Sequence, residues 1–348
     1  CFAGTHGKTT TSSMAAHILH TSGIGCNAFL GGILRNYNSN LLLSPTSPYS
    51  VIEADEYDRS FHTLRPYIAV ITATDPDHLD IYGTEEAYLE SFAHFTELIR
   101  PDGFLLIHDG LKLKPRPLPS VKTYTYGVKS GDFHADNIRH ADGTIRFDLI
   151  LPSGDSITDI ELGVPVDINV DNAVAAIAAC HLTGTLKPEA VREAMATFMG
   201  PKRRFEFWRK ETRDGRPHVI IDDYAHHPDE IKASIASVRA IYPDAKLTAV
   251  FQPHLYSRTR DFAPEFASAL SAADSLILVD LYPAREKPIP GVTSQIILDR
   301  VTLTDKTLVS RTDLVKTIKN RNFEILLTLG AGDICELLPE ILTNDSIR

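Results

Sequence analysis

Apolar residues recur along this chain with two different periods, and the alternation of those periods predicts its elements. Met14, Ile18 and Leu19 fall near helical spacing, which predicts a helix over Lys8–Thr21. Short apolar runs at Val51-Ile52, Tyr67–Thr72 and Gly103–His108 read as buried strands. Between the last two, Thr84 is placed to cap a helix reaching Arg100, with Glu85 and Glu86 in its first turn. Alternating strand and helix signals predict a mainly parallel sheet with helices on both faces. From 121 to 162 the pattern changes. Ile145, Phe147 and Leu149 alternate with polar residues, and Asp142-Gly143 and Ser153-Gly154-Asp155 are turn signals, so a small antiparallel patch is expected. Helices over Asn169–Leu182 and Pro188–Phe198 follow, the second opened by proline.

Gly200-Pro201 continues neither a helix nor a strand and precedes a basic run, which marks a hinge. Two domains are therefore expected, 1–200 and 201–348. In the second, strands at His218–Ile221, Lys246–Phe251, Ser275–Val279 and Phe323–Leu329 alternate with helices at Pro228–Ile241, Ser257–Ala272 and Asp333–Leu338. No internal repeat or low-complexity tract interrupts the pattern.

Composition narrows the picture. At 348 residues, with 43% hydrophobic and 23% charged, the chain is long enough for two globular domains. No apolar run reaches the roughly 18–20 residues that cross a bilayer, so no membrane partner is expected. A formal charge of −10 argues against a nucleic-acid partner. Cys1, Cys26, Cys180 and Cys335 are scattered without a CxxC pair, which favours reduced thiols in a cytosolic protein. Cys1-Phe2-Ala3 reads as the tail of a strand with no initiator Met, so the chain is expected to begin inside a larger protein.

The chemistry clusters where predicted strands end. Gly4-Thr5-His6-Gly7-Lys8-Thr9-Thr10 lies between a strand and a helix, where backbone N–H groups and the helix dipole favour a phosphate. Lys8 suits the β- and γ-phosphates and the Thr9 hydroxyl suits Mg²⁺. The loop is not a strict Walker A pattern, because Phe2 stands where glycine is required, and a plain glycine-rich turn is the alternative. Glu53-Ala54-Asp55-Glu56-Tyr57-Asp58 follows the strand at Val51-Ile52, so Glu53 is a candidate magnesium ligand beside Thr9, or part of a solvated acidic loop. In Asp75–Asp80, His78 stands between aspartates as a metal ligand, a phosphate contact or a structural histidine. In the second half, Asp222–Pro228, Gln252–Arg260, Asp280–Arg285 and Gly330–Asp333 each follow a predicted strand. They mark one functional edge, or are ordinary polar loops. His254, Arg258 and Arg260 suit a carboxylate, or the two arginines open a helix and are solvated.

With these residues assembled, the chain resembles the Mur ligases over essentially its whole length. GTHGKTTT (Gly4–Thr11) is similar to the family's ATP loop, EADE (Glu53–Glu56) to its metal motif, and DHLD (Asp77–Asp80) to its histidine motif. Asn169 and Asn172 fit its asparagine pair, RRF (Arg203–Phe205) its inter-domain arginine motif, and DDYAHHP (Asp222–Pro228) its C-terminal signature. FQPHLYSRTRDF (Phe251–Phe262) is similar to the segment of members that add alanine. Two departures stand out. Ile168 replaces a frequent histidine, and Ala73-Thr74-Asp75 replaces the usual Asn-Ile-Glu.

The resemblance implies a P-loop-type α/β domain followed by a Rossmann-like α/β domain, with the family's UDP-binding domain expected ahead of Gly4. It implies an ATP- and Mg²⁺-dependent ligase of the bacterial cytoplasm. Such an enzyme joins L-alanine to the carboxylate of UDP-N-acetylmuramate through an acyl phosphate, in peptidoglycan precursor synthesis. By the same resemblance the loop Gly4–Thr10, Asn169 and Asn172 bind ATP, while Thr9, Glu53 and His78 place the metal. Lys8, His78, Arg203, Asp223, His254, Arg258 and Arg260 form the catalytic set. Arg203 and Asp223 are expected to bring the second domain to the nucleotide, and His254, Arg258 and Arg260 to handle the amino acid or acyl phosphate. His226 and His227 are both candidates for the base that deprotonates the amine. Two other readings stay open, a murein-recycling peptide ligase and a non-catalytic nucleotide-binding module. Without a UDP-binding domain, this stretch is expected to bind Mg·ATP but to hold UDP-N-acetylmuramate weakly.

Overall fold

Among the described residues, short runs of buried apolar residues pair side by side in three sheets, two in the compact unit Cys1–Lys202 and one in the compact unit Arg203–Arg348. The structure is a computed structural model that describes all residues except 77, 78, 142, 185 and 345–348. The side chains of 79, 80 and 344 are likewise outside the description.

In the first unit the strands are β1 (Phe2–Ala3), β2 (Asn27–Leu34), β3 (Ser39–Leu42), β4 (Ser50–Ile52), β5 (Ile68–Ile71), β6 (Phe104–His108), β7 (Lys122–Gly127), β8 (Phe133–Ala141), β9 (Thr144–Ile150) and β10 (Ser156–Glu161). The helices are α1 (Lys8–Thr21), α2 (Leu79–Tyr82), α3 (Glu85–Glu97), α4 (Ile168–His181) and α5 (Pro188–Thr197). The main sheet runs β1-β5-β6-β7-β8-β9-β10, parallel as far as β8 and antiparallel beyond it. The alternating stretch read as a separate patch thus extends the main sheet, with β7 as one of its parallel members. Asp142 of the expected hairpin lies outside the described residues. The strand at Val51 does not join this sheet. It pairs in parallel with β2 in a three-stranded sheet of order β3-β2-β4, and neither β2 nor β3 was legible in the sequence because Gly31-Gly32 breaks the apolar alternation.

α4 is apolar on nearly every side and buried along most of its length, as a helix packed between a sheet and another helix must be. It packs against α1, where the Cys180 thiol donates to the Ala15 carbonyl at 3.6 Å. On the α3 side an aromatic cluster fills the core, with Phe61 stacked on Phe95 at 4.9 Å and edge-on to Phe92 at 5.3 Å.

In the second unit the strands are β11 (Glu206–Arg213), β12 (Arg216–Asp223), β13 (Leu247–Phe251), β14 (Ser275–Val279), β15 (Lys306–Val309) and β16 (Ile325–Leu329). The helices are α6 (Pro228–Ile241), α7 (Tyr256–Asp261), α8 (Ala263–Leu270), α9 (Gln295–Leu298), α10 (Arg311–Lys319) and α11 (Leu338–Asn344). The sheet order is β11-β12-β16-β13-β14-β15, parallel except for the β11 edge. The charged edge strand β11 carries no alternating signal, as suits an edge that must not pair further. The single helix expected over Ser257–Ala272 is two. Phe262 leaves helical geometry at φ −117°, ψ 19°, and Pro264 lacks the N–H that would carry α7 onward.

The Thr84 hydroxyl accepts the Ala87 N–H at 3.1 Å and caps α3 as its sequence predicts. Replacing Thr84 by Ala removes that acceptor and is expected to cost about 1 kcal/mol, read as a lower urea midpoint at unchanged slope. An unshifted midpoint contradicts the role.

Candidate functional site

The first constellation forms where β1, β4 and β5 end. Gly4 follows β1 at φ +141°, and a Cβ there would meet the Ala73 backbone nitrogen at 2.7 Å. Gly7 precedes α1 at φ +83°, where a Cβ would meet Asn172 Oδ1 at 2.8 Å. Only glycine fits either place. The loop between them is held to the end of β5, with Thr5 N–H donating to the Ala73 carbonyl at 3.1 Å and the Thr72 hydroxyl donating to that of His6. The Thr5 hydroxyl donates to the Asp75 carbonyl at 2.8 Å, while the His6 side chain is exposed.

Lys8 and Thr9 project from the first turn of α1, followed by Thr10. The Lys8 ammonium donates to the Gly4 carbonyl and to Glu56 Oε1, both at 2.8 Å. Glu56 is buried, with a side chain 1% exposed, and its carbonyl accepts the Tyr82 hydroxyl. The Thr9 hydroxyl donates to Glu53 Oε1 at 2.9 Å, and Gly31 N–H donates to Glu53 Oε2 at 2.9 Å. A Cβ on Gly31 would lie 2.7 Å from Glu53 Oε1, so this glycine in β2 makes room for the carboxylate. Glu53 borders an open cleft of about 550 Å³ whose walls include Phe29, Leu41 and Asp55. Another cleft, of about 480 Å³, lies at the amino ends of β1 and β5 and holds none of the motif residues.

Asn169 and Asn172 are buried in the first turns of α4. Thr11 donates to Asn172 Oδ1 at 3.0 Å, Asn172 Nδ2 to Asn169 Oδ1 at 3.1 Å, and Asn169 Nδ2 to the Val164 carbonyl at 3.1 Å. The asparagine pair therefore ties α4 to the phosphate-loop helix, and Ile168 beside it is 64% exposed. His108, at the end of β6, lies 3.1 Å from Asp171, whose hydrogen bond raises the imidazole pKa. No sequence signal marks this pair, because packing of α4 across β6 joins residues 63 positions apart.

The loop suits a polyphosphate. Its two glycines let the loop lie close against the end of β5 and Asn172, beside a cation and the N-terminus of a 14-residue helix. Mg²⁺ takes few protein ligands and completes its shell with phosphate oxygens and water, so the Thr9 hydroxyl and Glu53 carboxylate are a fitting donor pair. Among the described residues no three His, Cys, Asp or Glu side chains converge on one point. His78, the third residue expected at the metal, lies outside the described residues.

The second constellation forms where β12, β13, β14 and β16 end. Arg203, at φ +61°, is fully engaged. Its guanidinium donates to Asp222 at 3.3 Å, to the Gly332 carbonyl at 3.2 Å and to the Gly330 carbonyl, and lies over the Tyr224 ring at 4.9 Å. Burial raises the Asp222 pKa, opposed by the Thr328 hydroxyl, which donates at 2.6 Å, and by Arg203. Burial pushes the Asp223 carboxyl up to about 6, while the Ser234 hydroxyl donates to it and works the other way. Gln252, after β13, binds the next loop. It accepts the Asp333 N–H at 2.9 Å and donates to the Asp333 carboxylate at 3.0 Å, and Gly330 passes so close that a Cβ would meet the Gln252 carbonyl at 2.6 Å.

His254 and Arg258 are left differently. His254 Nδ1 and Arg258 Nη1 are buried without a hydrogen-bond partner among the described residues. The His254 ring is stacked on Tyr282 at 6.0 Å, and burial followed by Arg258 lowers its pKa. Arg260 is not brought to them. Two residues along a helix point to different faces, and the Arg260 guanidinium pairs with Asp261 at 2.7 Å on an exposed flank.

Glycine loop, helix-borne lysine and carboxylate on one edge, with buried cations on another, are the parts of a phosphate-activating, amide-forming ligase. Residues 2–180 match the Mur ligase middle domain, and residues 203–333 match the Mur ligase, glutamate ligase domain. The chain belongs to the Mur ligase family. It is 57% identical over 342 residues to the UDP-N-acetylmuramate–L-alanine ligase of Phocaeicola vulgatus, covering 98% of this chain and 73% of that one. The UDP-N-acetylmuramate–alanine ligase of Thermotoga maritima superposes with TM-score 0.81 at 27% identity, over 99% of this chain and 74% of that one. A murein peptide ligase from Psychrobacter arcticus shares the fold, with TM-score 0.62 at 22% identity over 100% of this chain and 77% of that one. Among the described residues no helix is long and apolar enough to cross a membrane.

Glu53 accepts from Thr9 and Gly31, whereas Asp58 is exposed and accepts the Ser60 N–H two residues on. Glu53→Ala is therefore expected to raise the Mg²⁺ concentration for half-maximal turnover, and Asp58→Ala to leave it in place. Titrating activity against Mg²⁺ for both variants decides this, and equal shifts would reduce the acidic run to a diffuse field.

Proposed function

We propose that this chain carries the nucleotide-side and amino-acid-side machinery of an ATP-dependent ligase that joins L-alanine to the carboxylate of UDP-N-acetylmuramate. The observation that carries this reading is the 57% identity, over 98% of the chain, to a ligase of that name. The reaction is one of bacterial peptidoglycan precursor synthesis and belongs in the cytoplasm. ATP phosphorylates the muramoyl carboxylate, the alanine amine displaces the phosphate, and no covalent bond to the protein is needed.

The residues then have separate duties. Backbone N–H groups of Gly4–Thr10 hold the phosphates, and the Lys8 ammonium offsets their charge where it grows in the transition state. The Thr9 hydroxyl and the Glu53 carboxylate would hold Mg²⁺, which would offset further charge on the phosphate oxygens. Asn169 and Asn172 fix α4 against the phosphate-loop helix and so set the wall on the adenine side. Arg203 keeps Asp222 and the Gly330–Gly332 loop in position, while Asp223 serves the nucleotide. His254 and Arg258 take the amino-acid carboxylate, because an unpartnered buried guanidinium nitrogen is costly until an anion meets it. Phosphate release by the full-length enzyme with UDP-N-acetylmuramate, ATP and a panel of amino acids tests the reading. L-Alanine is expected to drive release, whereas release driven only by a peptide overturns the alanine assignment.

Lys8→Ala is expected to reduce ATP turnover by roughly 10²–10³, or about 3–4 kcal/mol. It also leaves the buried Glu56 carboxylate without its cation and should lower Tm. Adding Glu56→Gln should restore Tm and leave turnover low, so phosphate release and thermal melting together separate the two duties. Near-normal turnover in Lys8→Ala contradicts the assignment.

A further inference from the structure

We propose that His226 is the group that takes a proton from the attacking amine, an assignment that rests on the ligase reading above. Two histidines end the loop after β12, and the structure gives them different work. His227 is the N-cap residue of α6, and its ring lies against Phe262 at 5.0 Å with Nδ1 3.7 Å from the exposed Asp229 carboxylate.

The His226 ring is placed differently. Its Nδ1 lies 3.0 Å from the Tyr224 carbonyl and 3.3 Å from Glu230 Oε2. Both are acceptors, so Nδ1 carries the ring proton and Nε2 keeps its lone pair. The backbone around the ring is fixed, since the N–H groups of His226 and His227 both donate to the Glu230 carboxylate, at 2.9 and 3.1 Å. Burial is the largest influence on the ring and lowers its pKa. Glu230 and the Tyr224 carbonyl raise it, Arg258 and Arg204 lower it, and the net direction is down. A ring held neutral is a base ready to act.

Position supplies the rest. The His226 ring stands edge-on to His254, with centroids 6.2 Å apart, and Arg258 acts electrostatically on both. His254 and Arg258 each keep a buried nitrogen that has no hydrogen-bond partner among the described residues and suits a carboxylate. An α-amino acid carries its amine on the carbon next to that carboxylate, so an amino acid anchored there holds its amine within the span between the rings.

The amino acid arrives as an ammonium. One N–H proton passes to His226 Nε2, and the freed lone pair forms the C–N bond at the acyl carbonyl. The C–O bond to phosphate then breaks, the second surplus proton leaves with the phosphate, and the imidazolium returns its proton to water. Selection for an α-amine follows from the same geometry, because a longer spacer between carboxylate and amine would carry the nitrogen past Nε2.

The test is His226→Gln in the full-length ligase, assayed with two nucleophiles. With L-alanine, kcat for amide formation is expected to fall roughly 10²–10⁴-fold while KM for alanine is unchanged, the range for loss of a proton acceptor. With hydroxylamine, which is neutral at pH 7 and needs no base, trapping of the activated carboxylate should proceed as in the wild type, which also shows that the variant folds. The acid limb of the wild-type pH–rate profile should disappear in the variant. An unimpaired alanine rate overturns the assignment, and so does an equal loss with both nucleophiles. If the wild type forms no amide with alanine at all, the ligase reading itself has failed.

Discussion

A buried carboxylate must have a cation, and in the first unit that requirement joins Glu56 to Lys8. Removing a carboxylate from water costs several kcal/mol unless its charge is met at close range. The Glu56 side chain is almost wholly buried, and the ammonium that meets it comes from the first turn of α1. The same ammonium donates to the Gly4 carbonyl. One contact therefore fixes the end of β1, the glycine loop, the start of α1 and the acidic loop after β4. The cation is in place before any ligand arrives, which is the condition under which a fixed charge is most effective in catalysis.

The second unit answers the same requirement with different residues. Asp222 is buried at the end of β12, and Arg203 reaches it while also donating to two carbonyls of the loop after β16. Arg203 spends its donors on the protein. Arg258 does not, and neither does His254, since each keeps a buried nitrogen without a hydrogen-bond partner among the described residues. That contrast separates cations that hold the fold from cations left for an anion. It also accounts for Arg260, whose guanidinium is paired with Asp261 on the exposed side of a two-turn helix.

Backbone proximity is the second means by which the site is built. Gly4 and Gly7 let the loop lie against β5 and Asn172, Gly31 admits the Glu53 carboxylate, and Gly330 passes over the Gln252 carbonyl. In each case a methyl group would occupy the place of a functional atom or of the strand that supports it. Thr11, Asn172 and Asn169 then form one hydrogen-bonded row from α1 into α4, which ties the helix carrying the phosphate loop to the helix beside it.

The sequence by itself determined the elements whose cause is local. α1 spans Lys8–Thr21 as its apolar spacing and preceding glycine require, Thr84 caps α3, proline opens α5, and β5, β6, β13, β14 and β16 follow their apolar runs. It also placed the chemistry at strand ends, because parallel strands connected through helices bring their carboxyl ends to one edge. Pairing partners were not local and were not legible. β4 joins β2 instead of the main sheet, β8–β10 prolong that sheet, and the helix expected after Ser257 divides at Phe262. Residue type was equally silent about duty. Arg203, Arg258 and Arg260 read alike in the sequence, as do His226 and His227. Only the tertiary structure decided which of them meets a buried carboxylate, caps a helix or faces open space, because a charge or a lone pair acquires its role from what lies within about 3 Å of it, and that is set by packing between distant segments.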